Sequence, residues 1–409
     1  MPLETNNALP PPFIRIAWSN LSAQFSEQIA LAAAPLVAVL ALGADAAATG
    51  LLQTAQTLPF LLLSIPAGVL VDRSSQRRLM VGSEALRALS LLTILVLIVS
   101  GLLNLPLLAG LGFLGAIGTV CYSVAAPALI PTLVPREQLG AANRWLELAR
   151  SVAYSAGPAL GGAIVGWTGA SAAYVLATLL SLFAVIFLAG LPEKNKSAQP
   201  RRRLFHELQE GALFVASSPL LRPILITAVF FNTSWFVLQA VYVAYGVHNL
   251  GLTAAGIGMT LGIYGAGMVC GALVAPRLLQ RLPFGAIIAL GPFAALCAAV
   301  VMLLTLWIPS GALAAVSFFL FGAGPILWTI TTTTLRQVVT PNAMLGRVSA
   351  LIMTATFGAR PIGAAIGALV AAHAGVEACL AVSAAGFLVQ FIVICVSQVP
   401  RLRALPQAA

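Results

Sequence analysis

Glu27 sits inside an apolar run, with Asn20, Gln24 and Gln28 at helical spacing around it, so the four form one polar stripe. An ionisable group at that depth in hydrocarbon costs about 2.5–3.5 kcal/mol on insertion scales, so it must face a cavity or a partner. There it can exchange a proton or serve as a structural carboxyl bonded to neighbouring helices. Arg360 lies at similar depth beside Pro361, where an irregular backbone is expected. It can neutralise Glu27, attract an anionic ligand group, or cap the carbonyls that the proline frees. Neutral polar and aromatic side chains recur at steps of three to four in another run, as Asn232, Trp235, Gln239 and Tyr242. Thr119, Tyr122 and Ser123 form a second group; Trp328, Thr329 and the threonines 331–334 form a third. Such groups suit an amphipathic pocket for a moderately large, partly apolar ligand.

These residues need elements that can hold them in lipid. The chain has 409 residues, 60% hydrophobic and 8% charged, with mean hydropathy +1.00. A soluble domain could not cover its surface with so few charges. Apolar runs predict twelve helices, each long enough to cross roughly 30 Å of hydrocarbon. The first six fall at 14–41, 46–71, 79–101, 105–131, 144–166 and 170–191. The second six fall at 220–246, 254–279, 285–307, 311–336, 347–373 and 376–397. Residues 1–12 carry no base, unlike a secretory signal, so the first run is expected to stay in the protein. Cys121, Cys270, Cys297, Cys379 and Cys395 have no metal-ligand spacing and read as small buried hydrophobes.

The net charge of +10 would suit nucleic acid, but the bases occupy short loops, where lipid orientation accounts for them. Arg73, Arg77, Arg78, Arg136, Arg144, Arg277, Arg281 and Arg347 all belong to alternate connections or their edges. The connections near Asp45, Asn104, Gly169, Asn249, Pro309 and Gly375 hold no Lys or Arg. The positive-inside rule places both termini in the cytoplasm.

A charged stretch over 192–218 divides the chain into six-helix bundles at 1–191 and 219–409. Its Arg201–Arg203, Glu207 and Glu210 predict a polar surface helix in a cytoplasmic linker. The halves echo each other. Pro135-Arg136-Glu137-Gln138-Leu139-Gly140 precedes helix 5, and Pro341-Asn342-Ala343-Met344-Leu345-Gly346 precedes helix 11. Each is followed by a helix rich in small residues that contains proline, as expected of a repeat at half the chain length.

Gly68-Val69-Leu70-Val71-Asp72-Arg73-Ser74-Ser75-Gln76-Arg77-Arg78, set between helices 2 and 3, resembles motif A of the major facilitator superfamily. Pro131-Thr132-Leu133-Val134-Pro135-Arg136-Glu137-Gln138-Leu139 is similar to the branch that contains the enterobactin exporter and macrolide efflux permeases. Gly157-Pro158-Ala159-Leu160-Gly161-Gly162 resembles the helix-5 motif of drug–proton antiporters. The resemblance covers almost the full chain and implies an all-α membrane fold of two six-helix repeats, working by alternating access. It implies that Asp72 meets the start of helix 11 when the cytoplasmic gate is closed. A carboxylate is favoured there by roughly 0.3–1 kcal/mol, and Gly68, Arg73, Arg77 and Arg78 would complete the gating motif. It also implies that helices 1, 4, 7 and 10 line the cavity. Gln24, Tyr122, Asn232, Trp235, Gln239, Tyr242 and Trp328 are then the expected substrate contacts, with Glu27 and Arg360 in proton coupling. Gly157, Pro158, Gly161 and Gly162 would form the conformational motif. Glu84 with Arg87, and Glu147 with Arg150, read as local pairs near the cytoplasmic ends that support the gate.

Two positions depart from the pattern: Ser75 and Gln76 stand where motif A usually has glycine and a base. Helix 4 reads Gly115-Ala116-Ile117-Gly118-Thr119, without the arginine linked to proton coupling in many antiporters.

No phosphate-binding G-x-x-x-x-G-K-[ST] loop is present, and the only lysines are Lys194 and Lys196, against an ATP-driven pump. Acids are scattered and His206, His248 and His373 lie far apart, against an enzyme. The sequence thus points to a bacterial inner-membrane monomer without cofactor or metal that exports a small amphipathic drug, siderophore or metabolite in exchange for protons. Proton-coupled uptake, and a non-transporting receptor on the same fold, are the alternatives. A cysteine engineered in 192–218 should resist an impermeant thiol reagent applied to intact cells; ready labelling would overturn the topology.

Overall fold

In hydrocarbon every backbone N–H and C=O must find a partner within the chain, so a sequence this apolar folds into helices. The computed structural model describes residues 10–135, 138–192 and 204–406. In chain order its helices are α1 Pro11–Leu40, α2 Ala46–Arg73, α3 Gln76–Val99, α4 Leu105–Leu133, α5 Leu139–Thr168 and α6 Ala170–Ala189. Then follow α7 Leu204–Ser217, α8 Leu221–His248, α9 Ala254–Arg281, α10 Phe284–Leu304, α11 Gly311–Val339 and α12 Asn342–Val396. No strand occurs among the described residues.

Ten of these helices are long and apolar enough to cross a membrane. The 30-residue α5 is outside that set, its charge-free part after Arg150 being rich in Gly, Ser and other weakly apolar residues. The 55 residues of α12 would reach about 80 Å at 1.5 Å per residue, far beyond one bilayer. Gly375, at φ 80° and ψ 177°, divides it in two. Every expected span therefore falls on an observed helical stretch, with ends moved by a few residues. Within the linker, α7 is a helix as expected, but a docked one. Its Phe214 and Val215 pack on Val348 and Leu221, and Glu210 pairs with Arg347 at the start of α12.

Connections opposite the basic loops are tight. Asp45 accepts the Ala48 N–H at 2.8 Å and Asn104 that of Leu107 at 2.9 Å, each capping a helix start. Five glycines turn through positive φ, all at this end: Gly43, Gly101, Gly169, Gly251 and Gly375. Two of these turns recur in the second part of the chain. Gly43 (φ 65°) matches Gly251 (φ 64°), each in a turn closed by an equivalent backbone bond, Ala44 N–H to Ala38 O and Leu252 N–H to Gly246 O, both 2.8 Å. Gly169 (φ 91°, ψ 169°) matches Gly375. An L-residue at these torsions would be strained, so both turns demand glycine.

In the first part of the chain, α1 packs on α5 and α6, α3 on α4 and α6, and α2 on α4. In the second, α8 packs on α12, α9 on α11, and α10 on α11 and α12. The two sets meet where α2 crosses α12 and α8, and where α5 crosses α9. Without a hydrophobic drive in lipid, helices associate by close packing over small residues and by inter-helix hydrogen bonds. Ser19 and Ser26 of α1 donate to the carbonyls of Ala184 (3.1 Å) and Ala177 (2.7 Å) in α6. Ser383 donates to Ser234 O at 2.9 Å between α12 and α8. Lipid also accepts apolar side chains on the outside. Of the five cysteines expected to be buried, Cys379 is buried, but Cys270 and Cys395 face outward.

The helix-5 motif works in this packing. A Cβ on Gly157 would lie 2.5 Å from Gln28 Cβ in α1, and one on Gly161 would lie 3.1 Å from Ile29 O. On the opposite face, a Cβ on Gly162 would lie 2.5 Å from Gly258 Cα and 2.6 Å from Ala254 O in α9. Nothing lies within 4 Å of a Cβ on Gly68. Gly162→Val should therefore destabilise the purified protein by about 1–3 kcal/mol through overpacking, read as a lowered melting temperature. Gly68→Ala should leave that temperature unchanged or higher; the reverse ranking would refute the close α5–α9 contact.

Candidate functional site

Two buried charges, Glu84 and Arg87, and the half-buried Glu27 tie α1 to α3. Arg87 of α3 lies 3.2 Å from Glu84 Oε1 and 3.9 Å from Glu27 Oε2. Its guanidinium also donates to Ala23 O at 3.1 Å and to Thr119 Oγ1 of α4 at 3.0 Å. Ser181 of α6 donates to Glu84 Oε2 at 3.1 Å. The arrangement needs a close α3–α4 approach, and Gly118 permits it: a Cβ there would run into the Ser83 carbonyl. Charge-assisted bonds cluster near 2.7–2.9 Å, so Glu27 is held least tightly of the three. It is also the member open to space, with 17% of its side chain exposed against 0% for Glu84.

The sequence places Glu84 and Arg87 near a cytoplasmic helix end, and the structure corrects this reading. Glu84 and Arg87 are buried at 0% and 4% exposure, and Arg87 is the cation beside Glu27. The available signal was depth: Arg87 stands near the centre of α3, where an unpaired charge cannot be left. The guanidinium missing from α4 is supplied to the Thr119 hydroxyl of α4 by α3.

Arg360, from the other half of the chain, sits over aromatic rings. Its guanidinium carbon is 4.2 Å from the Phe357 ring centroid, 5.4 Å from that of Phe60 and 5.6 Å from that of Phe236. Arg360 and Glu27 line one cavity together with Arg87, Trp235, Gln239 and Tyr264, about 240 Å³ in volume. Glu27 and Arg87 also line a cavity of about 610 Å³ with Gln24, Tyr122, Arg144 and Glu147. Here Glu147 pairs with Arg150 at 2.5 Å, as the spacing predicted. Arg360 also lines a cavity of about 330 Å³ with Asn232, Trp328, Arg336 and Gln390. The two larger cavities run toward the basic end of the bundle, reaching the first turns of α5 and the last turn of α11. At the opposite end α5 and α9 meet backbone to backbone, as do α2 and α12 where a Cβ on Gly50 would lie 2.7 Å from Ala368 Cα.

Of the expected contacts, Gln24, Tyr122, Asn232, Trp235, Gln239 and Trp328 line these cavities. Trp235 stacks on Tyr264 at 5.1 Å between centroids. Tyr242 lines none of the three. It is 0% exposed, bonds Thr260 Oγ1 at 2.5 Å and packs edge-on against Phe318, so it belongs to the core. Its helical step from Trp235 is two turns, which reads identically in sequence for a lining or a packing position. Gln53, Gln56, Tyr154 and Tyr264 line the first cavity without having been singled out.

In the gating motif, Asp72 and Arg73 end α2, and their side chains lie outside the described residues. Arg77 turns to the end of α6, donating to Leu188 O at 3.4 Å and to Ala189 O, where a cation complements the helix dipole. Ser75 caps α3 by accepting the Arg78 N–H at 3.4 Å. Serine at this departure from the motif therefore has a local task.

A family model described as "Transmembrane secretion effector" matches residues 13–409. The Enterobactin exporter EntS of Escherichia coli is 28% identical over 313 residues, covering 73% of this chain and 71% of that one. That of Citrobacter koseri is 27% identical over 305 residues, with the same coverage. Among solved structures, a bacterial homologue of the iron transporter ferroportin in an inward-facing state superposes with TM-score 0.73 at 16% identity, covering 94% of this chain and 98% of that one. A POT family transporter in complex with 5-aminolevulinic acid gives TM-score 0.76 at 12% identity, with 96% of each chain covered. These relatives and structural neighbours are transporters. With the family match over nearly its whole length and an all-α membrane fold, the chain belongs to the transmembrane secretion effectors of the major facilitator superfamily.

Proposed function

We propose that this chain is a secondary active transporter that exports a small amphipathic molecule by alternating access, driven by proton exchange at Glu27. One observation carries the coupling: Glu27 is the loosely held, cavity-facing member of a network in which two carboxylates share one guanidinium. Protonating Glu27 removes one anion from Arg87, which keeps Glu84, the Ala23 carbonyl and Thr119. The change therefore frees the α1 side chain without stranding a buried cation. Arg360 is the charge that faces it across the first cavity.

The moving bodies are the halves 1–191 and 219–409, joined by 192–218, with both termini in the cytoplasm of a bacterial cell. Matching glycine turns and the predominance of packing within each half support that division. The basic end is then cytoplasmic, and the cavities that run toward it belong to a state closed on the outer side by α5–α9 and α2–α12. Export is favoured by the names of the relatives, enterobactin exporters; siderophores, drugs and metabolites of amphipathic character are the substrate class. The protein acts as a monomer without cofactor. Asp72 closes the cytoplasmic side by meeting the start of helix 11, so Asp72→Asn should slow transport with folding intact. An outward-facing structure holding Asp72 far from residues 341–347 would exclude this gate.

The coupling is tested in proteoliposomes, with a solute found by thermal-stabilisation screening of the purified protein. Glu27→Gln, which mimics the protonated form, should abolish pH-driven accumulation and retain solute exchange. Full pH-driven transport by this variant would reject the carrier role. Arg87→Leu should instead destabilise the fold by about 3–5 kcal/mol, because it strands the buried Glu84 carboxylate. An unchanged melting temperature for Arg87→Leu would show that the network is not paired as described.

A further inference from the structure

The two sides of the central cavity differ in charge balance. On the α1–α3 side, buried acids and Arg87 compensate each other. The 330 Å³ cavity enclosed by α8, α10, α11 and α12 is different: among the described residues its lining contains Arg336 and Arg360 and no acid. Neither guanidinium forms an ion pair or a hydrogen bond with a described residue, and Arg336 Nε and Arg360 Nε are buried without a partner. A third donor on the same lining, Gln390 Nε2, is likewise buried and unpartnered, and Gln390 is only 1% exposed.

Both arginines are half-buried and it is their Nε atoms that are withdrawn from water; a buried guanidinium N–H loses more than ring faces return. The Phe357 face at 4.2 Å orients Arg360 but cannot accept its N–H groups as an oxygen would. Buried donors without acceptors are rare in native proteins and call for an explanation such as an absent ion or ligand. Three of them around one cavity, two on permanent cations, describe the complement of an oxyanion. The cavity is large enough for such a group on a small apolar body, since ligand sites begin near ~300 Å³. Trp328 and Phe357 supply the apolar walls.

We propose that this cavity binds the oxyanion group (carboxylate, sulfonate or phosphate) of an amphipathic molecule, with Arg336, Arg360 and Gln390 as its donors. Taking that molecule as the transported solute rests on the transporter reading above, whereas the binding site itself does not. An exported anion would then complement the cationic half of the cavity while the proton is handled on the α1–α3 side.

The test uses full-length protein in phosphatidylcholine nanodiscs and two fluorescent amphipaths of similar shape. One is anionic 8-anilinonaphthalene-1-sulfonate and the other neutral N-phenyl-1-naphthylamine. The anionic probe should bind saturably and be displaced by sulfate. Arg336→Gln and Arg360→Gln should each weaken it by roughly tenfold or more, about 1.4 kcal/mol, and leave the neutral probe unchanged. Gln390→Leu should weaken the anionic probe less. Because Arg336 has no acid on its cavity lining, Arg336→Gln should hold or raise the melting temperature, whereas Arg360 also faces Glu27 across the first cavity. Phosphatidylglycerol nanodiscs distinguish the source: loss of probe binding there identifies a lipid headgroup in the same oxyanion site, and retained binding identifies a free solute. Equal affinity for both probes, or affinity for the anion that survives both arginine substitutions, would overturn the site. Neither outcome bears on Glu27-dependent proton exchange, so the two readings fail separately.

Discussion

A charge inside this bundle has no water to return to, and its arrangement follows from how each one is compensated. Removing an ion from water costs several kcal/mol, recovered only by close pairing and by hydrogen bonds to its remaining donors. Arg87 meets most of that condition through four partners on three helices, with its Nε left buried and unpartnered. Two carboxylates, a helix carbonyl and a threonine hydroxyl fix α1, α3 and α4 relative to one another. Glu84 is locked by the same guanidinium and by Ser181 of α6. Of the two carboxylates Glu27 alone retains access to open space, so the constraint that holds this half together also leaves one acid facing the cavity.

The second constraint is the distance between helix backbones. Gly157 and Gly161 let α5 approach α1, and Gly162 with Gly258 lets α5 approach α9. The same short motif thus serves packing within one half and contact across the two. Such an interface has few long side chains to disengage, which suits surfaces that separate and re-form. Where the helices carry larger groups, at Trp235, Tyr264, Phe60 and Phe357, they stand apart and leave the cavities.

Charge and packing together give the cavity two unlike walls. One is internally neutralised and contains a carboxylate poised at its surface. The other presents Arg360 against aromatic rings, facing Glu27 across the first cavity, and Arg336 in an adjoining cavity whose described lining holds no acid. Helices from both halves contribute, so relative movement of the halves would alter the cavity without disrupting either set of buried contacts.

How much of this could be read from the residues follows from which forces are local. Hydropathy set the number and approximate limits of the helices, because the thickness of hydrocarbon is a fixed length. Loop charge set the alternation of basic and non-basic ends, and the helix-5 glycines and Glu27 were visible as local exceptions to an apolar background. Partners were not visible. Glu84 and Arg87 read as an i,i+3 pair on one helix, although their decisive contacts come from α1, α4 and α6. Tyr242 shares the periodicity of Trp235 yet is sealed against Thr260 and Phe318, because rotation of α8 against α9 and α11 is decided by packing over the whole interface. Arg336 and Gln390 gave no signal, since each is unexceptional alone and becomes informative only in a cavity whose described lining holds no acid. Sequence determines which groups are costly to place in a membrane; only the tertiary structure decides which neighbour, or which empty space, answers each of them.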